Sequence, residues 1–305
     1  MPSELHEDMI GAVVVTYYAS MDELTVLLSS IKNQVDFIVV VDNSDEFQRE
    51  LIDLCESMSV KVINNKENVG IAGAHNIGVE ELRVQGAAHV LLFDQDSIPF
   101  DGMVDVLNHA YLSVRRDFSG PLLVGPTYKD VRTAKSALLV RVENGRVLKI
   151  DPESVCGNDK VETDFLISSG SFFDMESYDL VGEFQENLFI DCVDIEWGFR
   201  LRSVGGKVFC IPGAVMSHML GDGELTFCGV SLTNHEPIRH YYYYRNFYFL
   251  LRSDYIPLGW KLYVFLKSSV QAIIFSTLTR APALHFKMIL KGIFHGLKGK
   301  LGKYE

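Results

Sequence analysis

Cysteine is scarce and has no pattern. The five residues Cys55, Cys156, Cys192, Cys210 and Cys228 are an odd number, widely spread, and form no CxxC pair. They supply neither a disulfide framework nor a structural zinc site, which fits a reducing cytoplasm. The opening stretch MPSELHEDMIGAVVV lacks the basic region, apolar stretch and cleavage site of a signal peptide, so secretion is not expected. Long uninterrupted apolar runs are missing too. The best, Leu262 to Leu278, is broken by Lys267, Ser268, Ser269 and Gln271 and makes a poor transmembrane span. Internal repeats and low-complexity linkers are also absent.

Net charge is −12 over 305 residues, which disfavours nucleic acid as a partner. The charge is unevenly placed. Residues Pro257 to Glu305 carry eight Lys/Arg and one acid, giving +7, while the remainder carries 20 basic and 39 acidic residues, giving −19. The tail therefore has its own task. With 48% hydrophobic residues the chain can bury a sizeable core. The expected division is a main domain over residues 1–254 and C-terminal helices over 255–305, either membrane-associating or oligomerising.

The first hundred residues alternate strand and helix. Apolar runs at Gly11 to Tyr17, Phe37 to Val41, Val60 to Ile63 and His89 to Phe93 predict buried strands. Helical spacing fills Glu23 to Ile31, Phe47 to Met58 and Ala72 to Gln85. This is an α/β pattern with a mostly parallel sheet, and ligands of such sheets bind beyond the carboxyl ends of the strands. Thr16, Tyr17, Asp42, Asn43 and Asp94 to Ser97 lie there. Further on, Leu138 to Val142 and Val147 to Ile150 read as antiparallel strands joined by a turn at Glu143 to Arg146.

Several constellations have a chemical and a structural reading. Asp94-Gln95-Asp96 follows a buried strand; its carboxylates suit a divalent cation bridging to a diphosphate, or simply a solvated turn. Asp42 can accept the N–H of a pyrimidine ring or close an Asx-turn. Asn68-Val-Gly70-Ile-Ala-Gly73-Ala-His-Asn76-Ile-Gly78 lets backbone approach a phosphate at a helix start, or only relaxes that start. Its glycine spacing is not the dinucleotide fingerprint. Asp191 and Asp194 read as helix-capping acids or as a general base for an acceptor hydroxyl. His218 is structural or a metal ligand. In His240-Tyr-Tyr-Tyr-Tyr-Arg-Asn246, Arg239 and Arg245 could clamp phosphate, or the helix could pack on the sheet.

The order of these motifs, from VVVTYY through VDNS, NVGIAGAHNIG, LLFDQDS, ISSGSFF and FIDCVDIEWGFRLR to SHMLGD, resembles family 2 inverting glycosyltransferases of the GT-A fold. DQDS, FIDCVDIEW and RHYYYYRN look most like bacterial dTDP-L-rhamnose-dependent rhamnosyltransferases. The resemblance spans roughly Gly11 to Leu251. It implies that Thr16, Tyr17, Asp42, Asn68, Gly70, Asn76, Asp94, Gln95 and Asp96 bind the nucleotide sugar. It implies Asp96, with Asp94 and His218, as ligands of Mg²⁺ or Mn²⁺, and Asp194 as base. Ser169, Gly170, Ser171 and Trp197 would face the acceptor. The usual Glu-Asp pair is Val193-Asp194 here, so Asp191 stands as a second candidate base.

The implied reaction moves L-rhamnose from dTDP-L-rhamnose to a hydroxyl of a glycan, often lipid-linked, in cell-surface polysaccharide synthesis. UDP-galactofuranose or UDP-N-acetylglucosamine are alternative donors, and a non-catalytic sugar-nucleotide or membrane-binding protein is the alternative of another class. Sugar-1-phosphate nucleotidyltransferases are set aside because GAVVVTYYAS lacks their GxGTRLxPLT. In the tail, Phe286, Ile289, Leu290, Ile293, Leu297 and Leu301 form one helical stripe and Lys287, Lys291, His295 and Lys298 another. That predicts a peripheral enzyme on the anionic cytoplasmic face of the cell membrane, with a homodimer as the rival use of the stripe. Gly292, Gly296 and Gly299 weaken this helix in isolation, so it is expected to form only when docked.

Overall fold

The computed structural model describes residues 9–130, 136–154, 160–218, 223–227 and 230–305. The first half alternates as the periodicity predicts: β1 (Ile10–Thr16), α1 (Met21–Ile31), β2 (Phe37–Asp42), α2 (Arg49–Met58), β3 (Lys61–Asn64), α3 (Gly70–Gln85) and β4 (His89–Asp94). Then come β5 (Ser97–Pro99), α4 (Met103–Arg115), β6 (Leu122–Asp130), and a hairpin of β7 (Leu139–Glu143) and β8 (Arg146–Ile150). After it follow β9 (Val161–Glu162), β10 (Phe172–Asp174), α5 (Met175–Val181), α6 (Val193–Ser203) and β11 (Lys207–His218). The chain ends with a second hairpin, β12 (Gly223–Phe227) and β13 (Val230–Asn234), then α7 (Pro237–Leu250), α8 (Leu258–Leu278) and α9 (Pro282–Lys298). The expected β7–β8 turn is present, with Asn144 at φ 50° and Gly145 at φ 75°.

The main sheet runs β3-β2-β1-β4-β10-β6-β11-β5, with β9 paired to β11. β3, β2, β1 and β4 are parallel, as are β6 and β11, while β10 inserts antiparallel between β4 and β6. Strand alternation splits the core into two layers. Val13, Val15, Val39, Val41, Val90 and Leu92 face Ala72, Val79 and Leu82 of α3 and Trp197 of α6. Their neighbours Ala12, Val14, Val40, Leu91 and Phe93 face Leu24 and Leu27 of α1, Leu51 of α2 and Leu107 of α4. Both faces of β1 and β4 are thus covered, which is why these strands are apolar throughout. Their polar carboxyl ends converge at one edge, where the direction of strand order changes.

The C-terminal helices are part of the same body. α7 opens with Pro237, and α9 opens with Pro282 and closes on Gly299 in the left-handed region at φ 70°. α9 lies along α7. A Cβ at Gly292 would meet the carbonyl of Tyr241, and one at Gly296 the carbonyl of Arg245. Gly292 and Gly296 therefore permit close helix contact, and the helix forms docked on α7. The buried face of α9 is His285, Met288, Ile289, Gly292 and Gly296. Ile289 thus points inward, whereas Phe286, Leu290, Phe294 and Leu297 are exposed. Among the described residues, no helix is long and apolar enough to cross a membrane. Cys55, Cys192 and Cys210 are free and buried. Cys156 and Cys228 lie outside the described residues.

Candidate active site

The carboxyl ends of β1, β2 and β4 form the base of a cleft. Thr16 and Asp42 sit side by side in parallel register and are both fully buried. The Thr16 hydroxyl donates to Asp42 Oδ1 at 3.1 Å, and the same oxygen accepts from the Ser44 amide at 3.2 Å and hydroxyl at 2.7 Å. Asn64 Nδ2 donates to Asp42 Oδ2 at 3.2 Å. Four internal donors and complete burial correct the expectation that Asp42 meets a base ring directly. It orders the strand ends beneath the cleft instead. Tyr17 and Tyr18 are the exposed groups here, in edge contact with centroids 4.8 Å apart. Gln95 Oε1 accepts from the Tyr17 amide at 2.8 Å, tying the Asp94–Asp96 turn to the end of β1.

That turn, between β4 and β5, leaves Asp94, Gln95 and Asp96 partly exposed at the cleft. Behind it, the Ser169 hydroxyl accepts from the Asp94 amide at 3.2 Å and donates to Ser97 Oγ at 2.6 Å. Gly170 N–H donates to Leu92 O at 2.7 Å, and the Ser171 hydroxyl donates to Ile167 O at 2.7 Å. Ser169, Gly170 and Ser171 therefore brace the aspartate turn, and the two serines are almost wholly buried. This corrects their assignment to the acceptor side. Trp197 is corrected likewise: it is buried, donates Nε1–H to Gly182 O at 2.9 Å, and packs on Phe173 and Phe184.

The glycine-rich segment also has another use. Gly70 has φ +82°, and a Cβ there would collide with the backbone carbonyl of Phe189. That carbonyl accepts from the Ile71 amide at 2.7 Å, so a protein oxygen takes the place expected for a phosphate at the start of α3. Asn68 caps the turn, its Oδ1 accepting from Gly70 N–H at 2.9 Å. Asn76 is buried and saturated. Its Nδ2 donates to Phe184 O and Glu186 Oε1, and its Oδ1 accepts from the Tyr178 hydroxyl and the Phe184 amide. Asn76 thus joins α3 to residues 178–186 and is not available to a donor phosphate.

The second segment to reach the cleft is 187–194. Phe189, Asp191 and Cys192 adopt φ 66°, 66° and 62° without being glycine. Such conformations persist only where the surroundings enforce them. The enforcing groups come from α7. Asn246 Nδ2 lies 2.8–2.9 Å from the carbonyls of Leu188, Ile190 and Asp191. Arg245 is fully buried and donates to the carbonyls of Asn187, Leu188 and Gly302. Arg239 grips the Asp191 carboxylate bidentately, Nε to Oδ2 at 3.1 Å and Nη2 to Oδ1 at 2.8 Å. Arg239 and Arg245 therefore hold the loop, correcting the phosphate-clamp reading. Nor is Asp191 the helix cap: the N-cap position of α6 is Cys192, which makes no side-chain cap bond.

This loop delivers Asp194 in the first turn of α6. Burial pushes its carboxyl up to about 7; the Ile195 amide, donating to Oδ1 at 2.8 Å, acts the other way, and the carboxylates of Asp94 and Asp191 raise it further. The two acidic segments, far apart in sequence, thus face one another. A carboxyl titrating near neutrality in a cleft is suited to proton abstraction. Asp191, held by Arg239, is less suited. Glu196 points away from the cleft into the protein, bonded to Arg200 at 2.8 Å and to the Tyr255 hydroxyl at 2.6 Å.

Among the described residues no three His, Cys, Asp or Glu side chains form a ready metal nest. Asp94 and Asp96 do offer hard oxygen donors on one turn, the chemistry a Mg²⁺ or Mn²⁺ ion prefers. The backbone of His218 pairs with Ser97, next to Asp96. Its side chain lies outside the described residues, as do residues 219–222.

Asn246, Ser44 and Asn64 were not anticipated. The signal for Asn246 was present: an Arg-Asn pair inside an otherwise aromatic helix must find partners when buried.

Known proteins resemble this chain in sequence and in fold. The profile "Glycosyl transferase family 2" matches residues 12–136. "dTDP-rhamnosyl transferase RfbF" of Shigella flexneri is 34% identical over 250 residues, covering 82% of each chain. Among solved structures, GalNAc-T7 with UDP, GalNAc and Mn²⁺ superposes with TM-score 0.61 at 13% identity, over 96% of this chain and 57% of that one. Staphylococcus aureus TarS 1–349 superposes with TM-score 0.55 at 16% identity, over 95% and 81%. These likenesses show the GT-A fold.

Proposed function

We propose that this chain, which belongs to glycosyl transferase family 2, transfers L-rhamnose from dTDP-L-rhamnose to a glycan hydroxyl with inversion at the anomeric carbon. The donor is supported by the relative that is 34% identical along 82% of both chains. The reaction is carried by one observation: Asp194, with its carboxyl pushed up to about 7, faces the Asp94 turn across the cleft. Asp194 takes the acceptor proton as the oxygen attacks the anomeric carbon opposite the departing nucleotide diphosphate. Asp94 and Asp96, with His218, would hold a divalent cation whose charge offsets that of the leaving group. Tyr17 and Gln95 supply the exposed nucleotide side of the cleft, above the buried Thr16–Asp42 pair. The test is turnover of a donor panel by purified protein, read as nucleotide diphosphate release. dTDP-L-rhamnose should exceed UDP-glucose, UDP-galactofuranose and UDP-N-acetylglucosamine. Preference for any UDP-sugar would overturn the donor assignment while leaving the reaction class.

The cell-surface glycan acceptor implies work at a membrane, and the C-terminal helices support it. Leu258, Leu262, Leu266, Val270 and Ile273 of α8 and Phe286, Leu290, Phe294 and Leu297 of α9 are exposed. The surrounding tail is +7 against a body of −19. An anionic bilayer attracts the first and repels the second, which seats the enzyme peripherally. Cosedimentation should favour anionic over neutral vesicles and weaken at high salt. A salt-insensitive dimer with no vesicle binding would assign the same face to self-association.

A further inference from the structure

A cavity of about 310 Å³ lies between α6, α7, α8 and the β7–β8 hairpin. Cys192 and Ile195, on either side of the Asp194 segment, form one wall, and Phe165, Tyr243, Phe247, Trp260 and Tyr263 supply aromatic lining. Lys149 and Lys267 are the two cations of the lining, and no carboxylate contributes to it among the described residues. Both lysines are exposed, so their ammonium groups sit at the mouth while the interior is apolar. Lys149 Nζ stands 5.7 Å from the centre of the Tyr263 ring. In a chain whose body carries −19 and whose donor side is built from aspartates, a carboxylate-free chamber with a cationic rim is an exception.

We propose that this chamber binds the phosphate-bearing, apolar end of the acceptor, leaving its glycan end to reach past Ile195 to Asp194. The proposal rests on the glycosyl-transfer reading above and names the substrate class of that site. Ammonium groups at a rim attract phosphate as point charges, and aromatic walls accept an apolar chain or the CH face of a sugar. An acceptor phosphate is repelled by Asp94, Asp96, Asp191 and Asp194, so its favourable position is beside Lys149 and Lys267 at the chamber rim. α8 contributes Trp260 and Tyr263 to the chamber, while its Leu262 and Leu266 are exposed. An apolar chain can therefore leave the chamber along the same helix that faces the proposed bilayer.

Trp260 is a built-in reporter, since the chain has only two tryptophans and Trp197 is buried elsewhere. The full chain is titrated with decyl phosphate, decyl glucoside and inorganic phosphate, below micellar concentrations, following tryptophan emission. Decyl phosphate should bind saturably and more tightly than either control. The double variant Lys149→Glu, Lys267→Glu should weaken it by about tenfold or more, with dTDP affinity and thermal melting unchanged. Equal binding of decyl glucoside or inorganic phosphate, or unchanged affinity in the double variant, overturns the proposal. The two readings fail separately. Turnover of dTDP-L-rhamnose without alkyl-phosphate selectivity contradicts only the chamber. Selectivity without turnover of any nucleotide sugar contradicts only the reaction.

Discussion

The start of α3 touches Phe189 in the segment that leads into α6, and both helix starts have backbone in the left-handed region. At α3 the residue is Gly70, for which φ +82° carries no steric penalty. At α6 the residues are Asp191 and Cys192, with Phe189 shortly before them, and none is glycine. The first looks in sequence like a phosphate cradle, yet its space is filled by the Phe189 carbonyl. The second reads in sequence as an ordinary capped helix start, yet Arg239, Arg245 and Asn246 restrain it. A glycine at a helix start can thus serve close packing alone. Left-handed backbone at non-glycine residues, enforced from another helix, marks where geometry is being held for a purpose. Gly70 exists to give that second segment room.

The largest effect on stability should come from the restraint. Asn246→Ala leaves three carbonyls of the 188–191 loop without their amide partner, costing about 2–4 kcal/mol in stability. It should lower kcat by about tenfold or more as Asp194 loses its position, with donor affinity unchanged. Calorimetry and steady-state kinetics check both parts. An unaltered kcat in the folded variant would break the link between α7 and the base.

A smaller effect is expected at Gly70→Ala. The left-handed backbone costs about 1–2 kcal/mol for a residue with a side chain, and the Phe189 carbonyl must retreat. Melting temperature and kcat should fall modestly while dTDP affinity, measured by calorimetry, holds. A loss confined to dTDP affinity would restore the phosphate-cradle reading and reverse the comparison.

The difference between the two helix starts also explains what could be read in the sequence. β1, β2, β4 and the aspartate turn follow from local apolar runs ending in polar residues, and their boundaries fall within a residue or two of expectation. Asp194 was legible as an acid before a helix. Its surroundings were not, because the partners of residues 187–191 lie 48–58 positions away on α7. Asn76, Ser169 and Trp197 were misplaced for the same reason. Each is a polar or amphipathic residue near the motifs, and only the fold shows that its hydrogen bonds are spent inside the protein. In α9, Gly292 and Gly296 read as helix weakeners until α7 is seen to pack against them.

The most direct measurement is the pH dependence of kcat for transfer, at saturating donor, in the wild type and in Asp194→Asn. A general base works only when unprotonated. Turnover of the wild type should therefore fall as pH drops through about 7, where burial and Asp94 have raised the Asp194 carboxyl. The asparagine variant should be slower by about a hundredfold or more, lack that acid limb, and keep its affinity for the donor. Retention of wild-type turnover or of the same limb in Asp194→Asn, with both lost instead in Asp191→Asn, would show that Asp191 is the base and that the restrained loop presents a different carboxylate.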